Sequence, residues 1–388
     1  MYKNIITVIL SSIFGFFIVY IVGIFYFYVN LDKERPYHFK NIRALEFHKK
    51  YTSQIHHLSW MNINKINSEP ESSLFTIYNE FNNNKNFLIQ GDSYVETLSY
   101  YEKTNSFFKN FSKKENIGLI NAGIGSYSPS LMSVQLDILE KDFNILPNVI
   151  VAYFDQSDIG DEICRYKNKK IYNKNNKLIK IQEEKYSRNI FNYTVIHQES
   201  AILLSNKSNI TKSIQMLNFN LKFIFLKQSK KVFFKIKSIK KNGWAGRKLK
   251  KECTWSDIER PLVDNNPTEI LYFSESIKEY INKILEKKHI EKIILVTFPH
   301  RANLFPVTNQ IGKKIFYKVD VGNIVEKISK NNKKIDHLNF TSIIKGKEKY
   351  LYDNGYLKFD PHLNEEFLYS LFAKEIANKI EKYLNKFN

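Results

Sequence analysis

Two cysteines, Cys164 and Cys253, stand in 388 residues. So few exclude a disulfide-stapled scaffold, and no grouping of Cys and His has the spacing of a zinc site. The pair could form one disulfide in an exported domain or stay as two thiols inside a cell. Acidic residues are in deficit: 39 Asp and Glu face 59 Lys and Arg, a formal charge of +20. A basic chain favours anionic partners such as phospholipid head groups, acidic polysaccharide or nucleic acid. However, the lysines are scattered, often beside asparagine as in Asn82-Asn83-Asn84-Lys85, and no RNA- or DNA-binding motif is present. The expectation is therefore no nucleic-acid partner. No internal repeat is visible either.

Charge is missing altogether from Ile5 to Val29. That run is long enough to cross a bilayer, which takes roughly 20 apolar residues. Tyr20, Tyr26 and Tyr28 crowd its second half, as in an interfacial belt. A signal peptide would have a shorter apolar core and a small-residue cleavage site, and Phe25-Tyr26-Phe27-Tyr28 offers none. Residues 1–30 read as a retained single-pass anchor. Lys3 precedes the span, and Lys33, Arg35, Lys40 and Arg43 follow it. The positive-inside rule would keep the remainder in the cytoplasm, but long domains translocate largely regardless of charge. An extracytoplasmic domain is the expectation.

What is present after the anchor is first a polar, irregular stretch, residues 31–84, read as a stalk. From residue 85 to 388, short apolar runs alternate with helical patterns. Phe87-Leu88-Ile89, Ile117 to Ile120, Val149 to Phe154, Ile293 to Thr297 and the neighbours of Ile335 read as strands. Residues 94–111, 129–142, 274–288, 319–330 and 364–384 read as helices. Strands alternating with helices predict an α/β fold, a doubly wound parallel sheet. Residues 162–265, rich in Lys and Asn, interrupt the rhythm as an insertion between the third and fourth strands.

The first strand ends abruptly in Gly91-Asp92-Ser93. In a doubly wound sheet, ligands bind outside the carboxyl ends of the strands. Ser93 would stand there, beside a helix N-terminus whose N–H groups favour an anion. A plain helix N-cap explains the same residues. Near the end of the chain, Asp360-Pro361-His362 precedes the last helix. A serine nucleophile needs a base and a group that orients the base, and His362 and Asp360 fit those roles.

These blocks together resemble the SGNH (GDSL-like) hydrolase family over roughly residues 86–156 and 291–388. Ile89-Gln90-Gly91-Asp92-Ser93 resembles the first block, Asn121-Ala122-Gly123-Ile124-Gly125-Ser126 the second, and Asp360-Pro361-His362-Leu363-Asn364 the last. The resemblance implies a flavodoxin-like three-layer α/β/α fold. Ser93 would be the nucleophile, His362 the general base and then acid, and Asp360 its orienting partner. The oxyanion hole would draw on the backbone of Ser93 and of the Gly125-Ser126 turn, where which N–H donates is left open. It further implies a membrane-anchored esterase or O-acyltransferase acting on acylated envelope glycans or lipids, without metal or organic cofactor.

Two departures stand out. The family's third block, Gly-x-Asn-Asp, is replaced by Asp155-Gln156-Ser157-Asp158, so Ser157 or Gln156 would have to supply the asparagine's hydrogen bond. Losing such a donor costs about 100-fold or more in rate. One residue, rather than two, separates Asp360 from His362, a spacing similar to that of membrane-linked polysaccharide-modifying members. A non-catalytic scaffold that binds glycan or a membrane partner is the rival reading. His300 and Arg301, after the fourth strand, are candidates to line the substrate site, with His300 as reserve base. Asp336-His337 imitates the last block but reads as part of a strand. Asp158, Asp161 and Glu162 read as capping groups, with a cation site as the alternative.

Overall fold

A computed structural model describes residues 2–29, 42–52, 69–181 except 83, parts of 208–221, and 253–386 except 254, 309–311, 313, 331 and 358–361. The chain forms two compact units: one comprises residues 1–50, 58–73 and 184–252, the other residues 51–57, 74–183 and 253–388.

The second unit is an α/β domain built on a six-stranded mixed sheet. Strands β1 (Thr76–Asn79), β2 (Asn86–Gly91), β3 (Gly118–Gly123) and β4 (Val149–Phe154) come first in the chain. A small antiparallel ribbon follows, β5 (Lys170–Tyr172) with β6 (Leu178–Ile181). Strand β7 (Lys292–Thr297), a second ribbon of β8 (Val307–Thr308) and β9 (Lys314–Ile315), and β10 (Ile335–Asn339) complete the set. The main sheet runs β1-β3-β2-β4-β7-β10, with only the edge strand β1 antiparallel. β2 and β4 are buried along their whole length, as expected of central parallel strands, and β4 is apolar throughout. The sheet thus begins at Thr76, inside the stretch read as stalk. Four residues with Ile77 exposed and Tyr78 buried carry too short an alternation to stand out.

Alternate residues of the strands feed opposite faces. Phe87, Ile89, Val149, Val151, Tyr153, Ile294 and Val296 share one core with Leu98, Phe108, Phe340, Phe372, Ile376 and Ile380 of the helices. On the other face, the Gln90 amide donates to Gln135 Oε1 at 2.8 Å and accepts from the Tyr280 hydroxyl at 2.7 Å. Those partners belong to helices Pro129–Phe143 and Pro267–Leu285. The stretch expected as one helix over 94–111 is two, Ser93–Tyr100 and Glu102–Lys114. Tyr101 between them is extended, and the Thr104 hydroxyl donates to the Leu98 carbonyl at 2.8 Å, closing the bend.

In the first unit, Leu10–Val29 of the N-terminal helix is long and apolar enough to span a membrane, with mean hydropathy 2.2. Leu217 packs against Phe27, Ile24 and Tyr20 of that helix. The insertion read as residues 162–265 divides: residues 184–252 belong to this unit, whereas both its ends belong to the α/β domain. Those ends are joined. Cys164 and Cys253 form a disulfide across 89 positions.

A cross-link closing so long a loop restricts the unfolded chain strongly. Replacing Cys164 and Cys253 together by Ser should lower the stability of the α/β domain by about 2–4 kcal/mol, read as a lower urea midpoint, with the unreduced wild type unchanged.

Candidate active site

The site forms where β2 ends. Asp92 is the N-cap of helix Ser93–Tyr100, and its carboxylate accepts the Tyr94 N–H at 2.9 Å. A short polar acceptor there satisfies one of the helix's free donors. Ser93 is therefore the first helical residue, at the carboxyl edge of the sheet. The helix lies flat on the strand ends because Gly91 and Gly123 are paired across β2 and β3. A Cβ on Gly123 would come within 2.5 Å of the Glu96 backbone nitrogen, and one on Gly91 within 2.6 Å of Val95.

His362 arrives from the other end of the chain, and its Nε2 lies 2.6 Å from Ser93 Oγ. The imidazole packs on the Tyr94 ring, centroids 4.9 Å apart. The chain beside it is pinned by a bridge between Tyr356 and Leu363, with the Leu357 N–H bonded to the His362 carbonyl at 2.9 Å. Asn364 then caps the next helical turn by accepting the Phe367 N–H. Asp360, the expected orienting group, lies outside the described residues.

The second block makes a tight turn beside Ser93, with the Ile124 N–H on the Gly91 carbonyl at 3.1 Å. The Gly125 N–H is held by the Glu96 carboxylate at 2.8 Å, which takes it out of contention as an oxyanion donor. Ser126 stands at φ +63°, the left-handed region where glycine is the usual residue. Its hydroxyl accepts from Arg165 at 2.8 Å and its carbonyl accepts from the Tyr166 hydroxyl at 2.8 Å. Among the described residues, the backbone N–H groups of Ser93 and Ser126 have no hydrogen-bond partner.

The third block is bound inward. Gln156 is fully buried: its amide donates to the Phe298 carbonyl at 3.2 Å, and its oxygen accepts the Val321 N–H at 3.0 Å. Ser157 donates through both N–H and hydroxyl to Asp155 Oδ2, at 2.9 and 2.5 Å. Neither side chain is placed as a ready substitute for the asparagine.

A small cleft of about 360 Å³, open solvent at its mouth included, is lined by Ser93, Tyr94, Asp155, Ser157, Ile258, Glu259, Leu262, His300, Tyr317 and His362. His300 thus faces the cleft as anticipated, whereas Arg301 lays its guanidinium over the Tyr352 ring at 4.5 Å. Glu259 and Tyr317, whose hydroxyl donates to Glu259 at 3.3 Å, carried no signal in the sequence. They come from stretches remote from every motif, and only the tertiary fold brings them in. Asp336 and His337 lie within β10. Asp336 pairs with Lys292 and Lys379, and His337 Nε2 contacts the Thr297 hydroxyl at 2.9 Å.

Beneath the cleft the acids are buried. Burial, and then the nearby Asp155 carboxylate, pushes Asp92 well above the ordinary carboxyl range. Burial and then Asp92 do the same to Asp158. Burial raises Asp161 to about 7 against the opposing pull of Arg165, 3.1 Å away. Glu162 instead accepts from the Ser128 and Ser130 hydroxyls and the Ser130 N–H, and pairs with Lys170 at 3.0 Å. It supports the start of helix Pro129–Phe143, as a capping group would. No group of His, Cys, Asp and Glu among the described residues could hold a metal ion.

Two tests follow from this geometry. Gly123→Ala should lift the helix that carries Ser93 and slow any reaction at its hydroxyl about 10-fold or more, since a 1 Å misplacement can cost 100-fold. Reaction rate with an aryl ester checks it. For Asp161 the folded domain binds the proton more tightly than the unfolded chain, because the folded value is the higher. Its contribution to stability is full below about pH 4 and is lost as pH rises toward about 7. The melting temperature of wild type relative to Asp161→Asn should therefore fall between those limits, measured by circular dichroism. No protein family, curated protein or solved structure was found to match the chain.

Proposed function

We propose that this chain is a membrane-anchored serine esterase or O-acyltransferase of SGNH type, acting on ester-linked acyl groups of envelope glycans or lipids. The observation that carries it is the 2.6 Å contact between Ser93 Oγ and His362 Nε2, made across 269 positions of sequence at the carboxyl edge of a mostly parallel sheet. Helices on both faces of that sheet favour the doubly wound, flavodoxin-like arrangement. The Ser93 oxygen attacks the ester carbonyl while His362 Nε2 takes its proton. The tetrahedral oxyanion is met by backbone N–H groups, with those of Ser93 and Ser126 the uncommitted candidates. Collapse expels the alcohol, protonated by His362, and leaves an acyl-Ser93. Water then regenerates the serine, or a sugar hydroxyl takes the acyl group. Asp360 keeps its role as orienting group on sequence grounds alone.

The apolar helix through Ile5–Val29 would hold the domain at a membrane. The Cys164–Cys253 disulfide favours an oxidising, extracytoplasmic location. The rival, a binding scaffold without catalysis, draws its support from the inward-turned Gln156 and Ser157. Fluorophosphonate labelling decides between them. Ser93 should be modified, with the label found by mass spectrometry on the peptide containing it, and Ser93→Ala and His362→Ala should abolish labelling. A folded chain that takes no label would favour the scaffold.

A further inference from the structure

Tyr356 joins two segments that form the cleft. Its hydroxyl donates to the Pro299 carbonyl at 2.7 Å, beside His300, and its backbone bridges Leu363, beside His362. Next to this clamp, the residue after His300 meets a residue four positions ahead of Tyr356: Arg301 sets its guanidinium over the Tyr352 ring, 4.5 Å from the centroid. The charge of Arg301 is felt at the clamp itself. Burial, and then the Asp155 carboxylate, push the Tyr356 hydroxyl far above the ordinary phenol range, and Arg301 pulls against them. Asp155, His300 and His362 all line the cleft, so Arg301 stands on its rim.

This arginine lacks a counter-ion. Arg43, Arg165 and Arg260 pair with Glu71, Asp161 and Glu269. Among the described residues no carboxylate pairs with Arg301, and no acceptor takes any of its N–H groups. Its Nε is buried without a partner. The residue is half-buried, and the shut-away part of the guanidinium stops at Nε, so Nη1 and Nη2 face solvent. A desolvated donor left unmade is costly, and such groups in folded proteins call for an explanation. The mounting is firm. The Tyr352 ring stands edge-on to Phe305, centroids 5.0 Å apart, and its hydroxyl donates to the Pro306 carbonyl at 3.4 Å. Lys349 lies over the same ring at 5.8 Å, with its charge shared with Asp353 at 2.6 Å. A planar fork held on an aromatic face loses little freedom when it takes an anion.

We propose that Arg301 is the specificity-determining residue of a rim subsite that binds a carboxylate or phosphate of the substrate, and so directs the reaction at Ser93 to acylated acidic glycans. This rests on the reading of Ser93 as nucleophile. A guanidinium meets two oxygens of such a group at once, which adds geometric selection to charge. A phospholipid surface is read by clusters of about 4–8 basic residues. This rim offers one fork and one lysine already shared with Asp353, which fits a single charged sugar. Packing on Tyr352 alone would support the fold without distinguishing an acidic ester from a neutral one.

The test uses the full chain in detergent and follows acetate release from acetylated methyl glucuronoside, acetylated methyl glucoside 6-phosphate and the neutral acetylated methyl glucoside. Wild type should favour at least one acidic sugar over the neutral one by about 10-fold in kcat/KM, the low end for hydrogen bonds to a charged group. Which acidic sugar it favours tells carboxylate from phosphate. Arg301→Gln, shown to be folded by circular dichroism, should bring that ratio to about 1 through KM rather than kcat, the mark of lost binding. Arg301→Lys keeps the charge without the fork and should retain a ratio of about 3. The proposal is overturned if wild type turns over the three esters alike, or if Arg301→Gln keeps the wild-type ratio while slowing all three together, as a structural role would. Acetylglycerol phosphate preferred over both acidic sugars would place the anion on a lipid head group and overturn the glycan assignment. Failure of the underlying reading looks different: the wild type would then neither label at Ser93 nor release acetate from any ester, and the proposal would fall with it.

Discussion

The site depends on how closely a helix can approach two strand ends. Gly91 and Gly123 stand opposite each other on β2 and β3. Neither has room for a methyl group, since Val95, Tyr153 and the Glu96 backbone fill the space. Because both are glycine, helix Ser93–Tyr100 packs down onto the sheet and its first residue is set at the sheet's edge. Two further placements follow from that packing. Glu96, one turn into the helix, reaches the Gly125 N–H and fixes the second-block turn. Asn121, under the same helix, donates to the Val95 carbonyl at 2.8 Å and accepts the Gly123 N–H at 2.8 Å. The asparagine of the second block thus acts as a strut between strand and helix.

The electrostatics run opposite to the surface. A chain of formal charge +20 buries Asp92, Asp155, Asp158 and Asp161 under its candidate site. Carboxylates crowded in low dielectric cannot all ionise, and burial raises Asp92, Asp158 and Asp161 alike. The same acids retain their structural work when neutral. Asp92 still accepts the Tyr94 N–H, and Asp158 still accepts the Asp155 N–H at 3.0 Å.

Much of the fold was legible because central parallel strands are apolar throughout. Val149 to Phe154 and Lys292 to Thr297 mark themselves by composition, and Gly91-Asp92-Ser93 marks where the first such strand stops. The Ser93–His362 pairing was legible for a different reason: one end of the chain needed a base and the other offered one. What stayed hidden depends on local geometry or on long-range packing. Tyr101 breaks a helix without Gly or Pro to announce it. The occupation of Gly125 by Glu96 cannot be read from spacing, because it depends on how deep the helix lies. Glu259 and Tyr317 reach the cleft from a helix at the end of the insertion and from the loop after β9, and neither has a neighbour in sequence that bears on the chemistry.

A strand end at the carboxyl edge can serve the cleft or serve the fold. Here β4 does the second: Asp155 gathers the Tyr153 and Ser157 hydroxyls and the Ser157 N–H. Gln156, for its part, ties β4 to the Phe298 carbonyl and the Val321 N–H. Those bonds hold the neighbouring strand exit in place. At the end of that exit, His300 accepts the Ala302 N–H at Nδ1 and stacks on Tyr317. The bonds of Gln156 thus couple the exits of β4 and β7, which no single position in the sequence could announce.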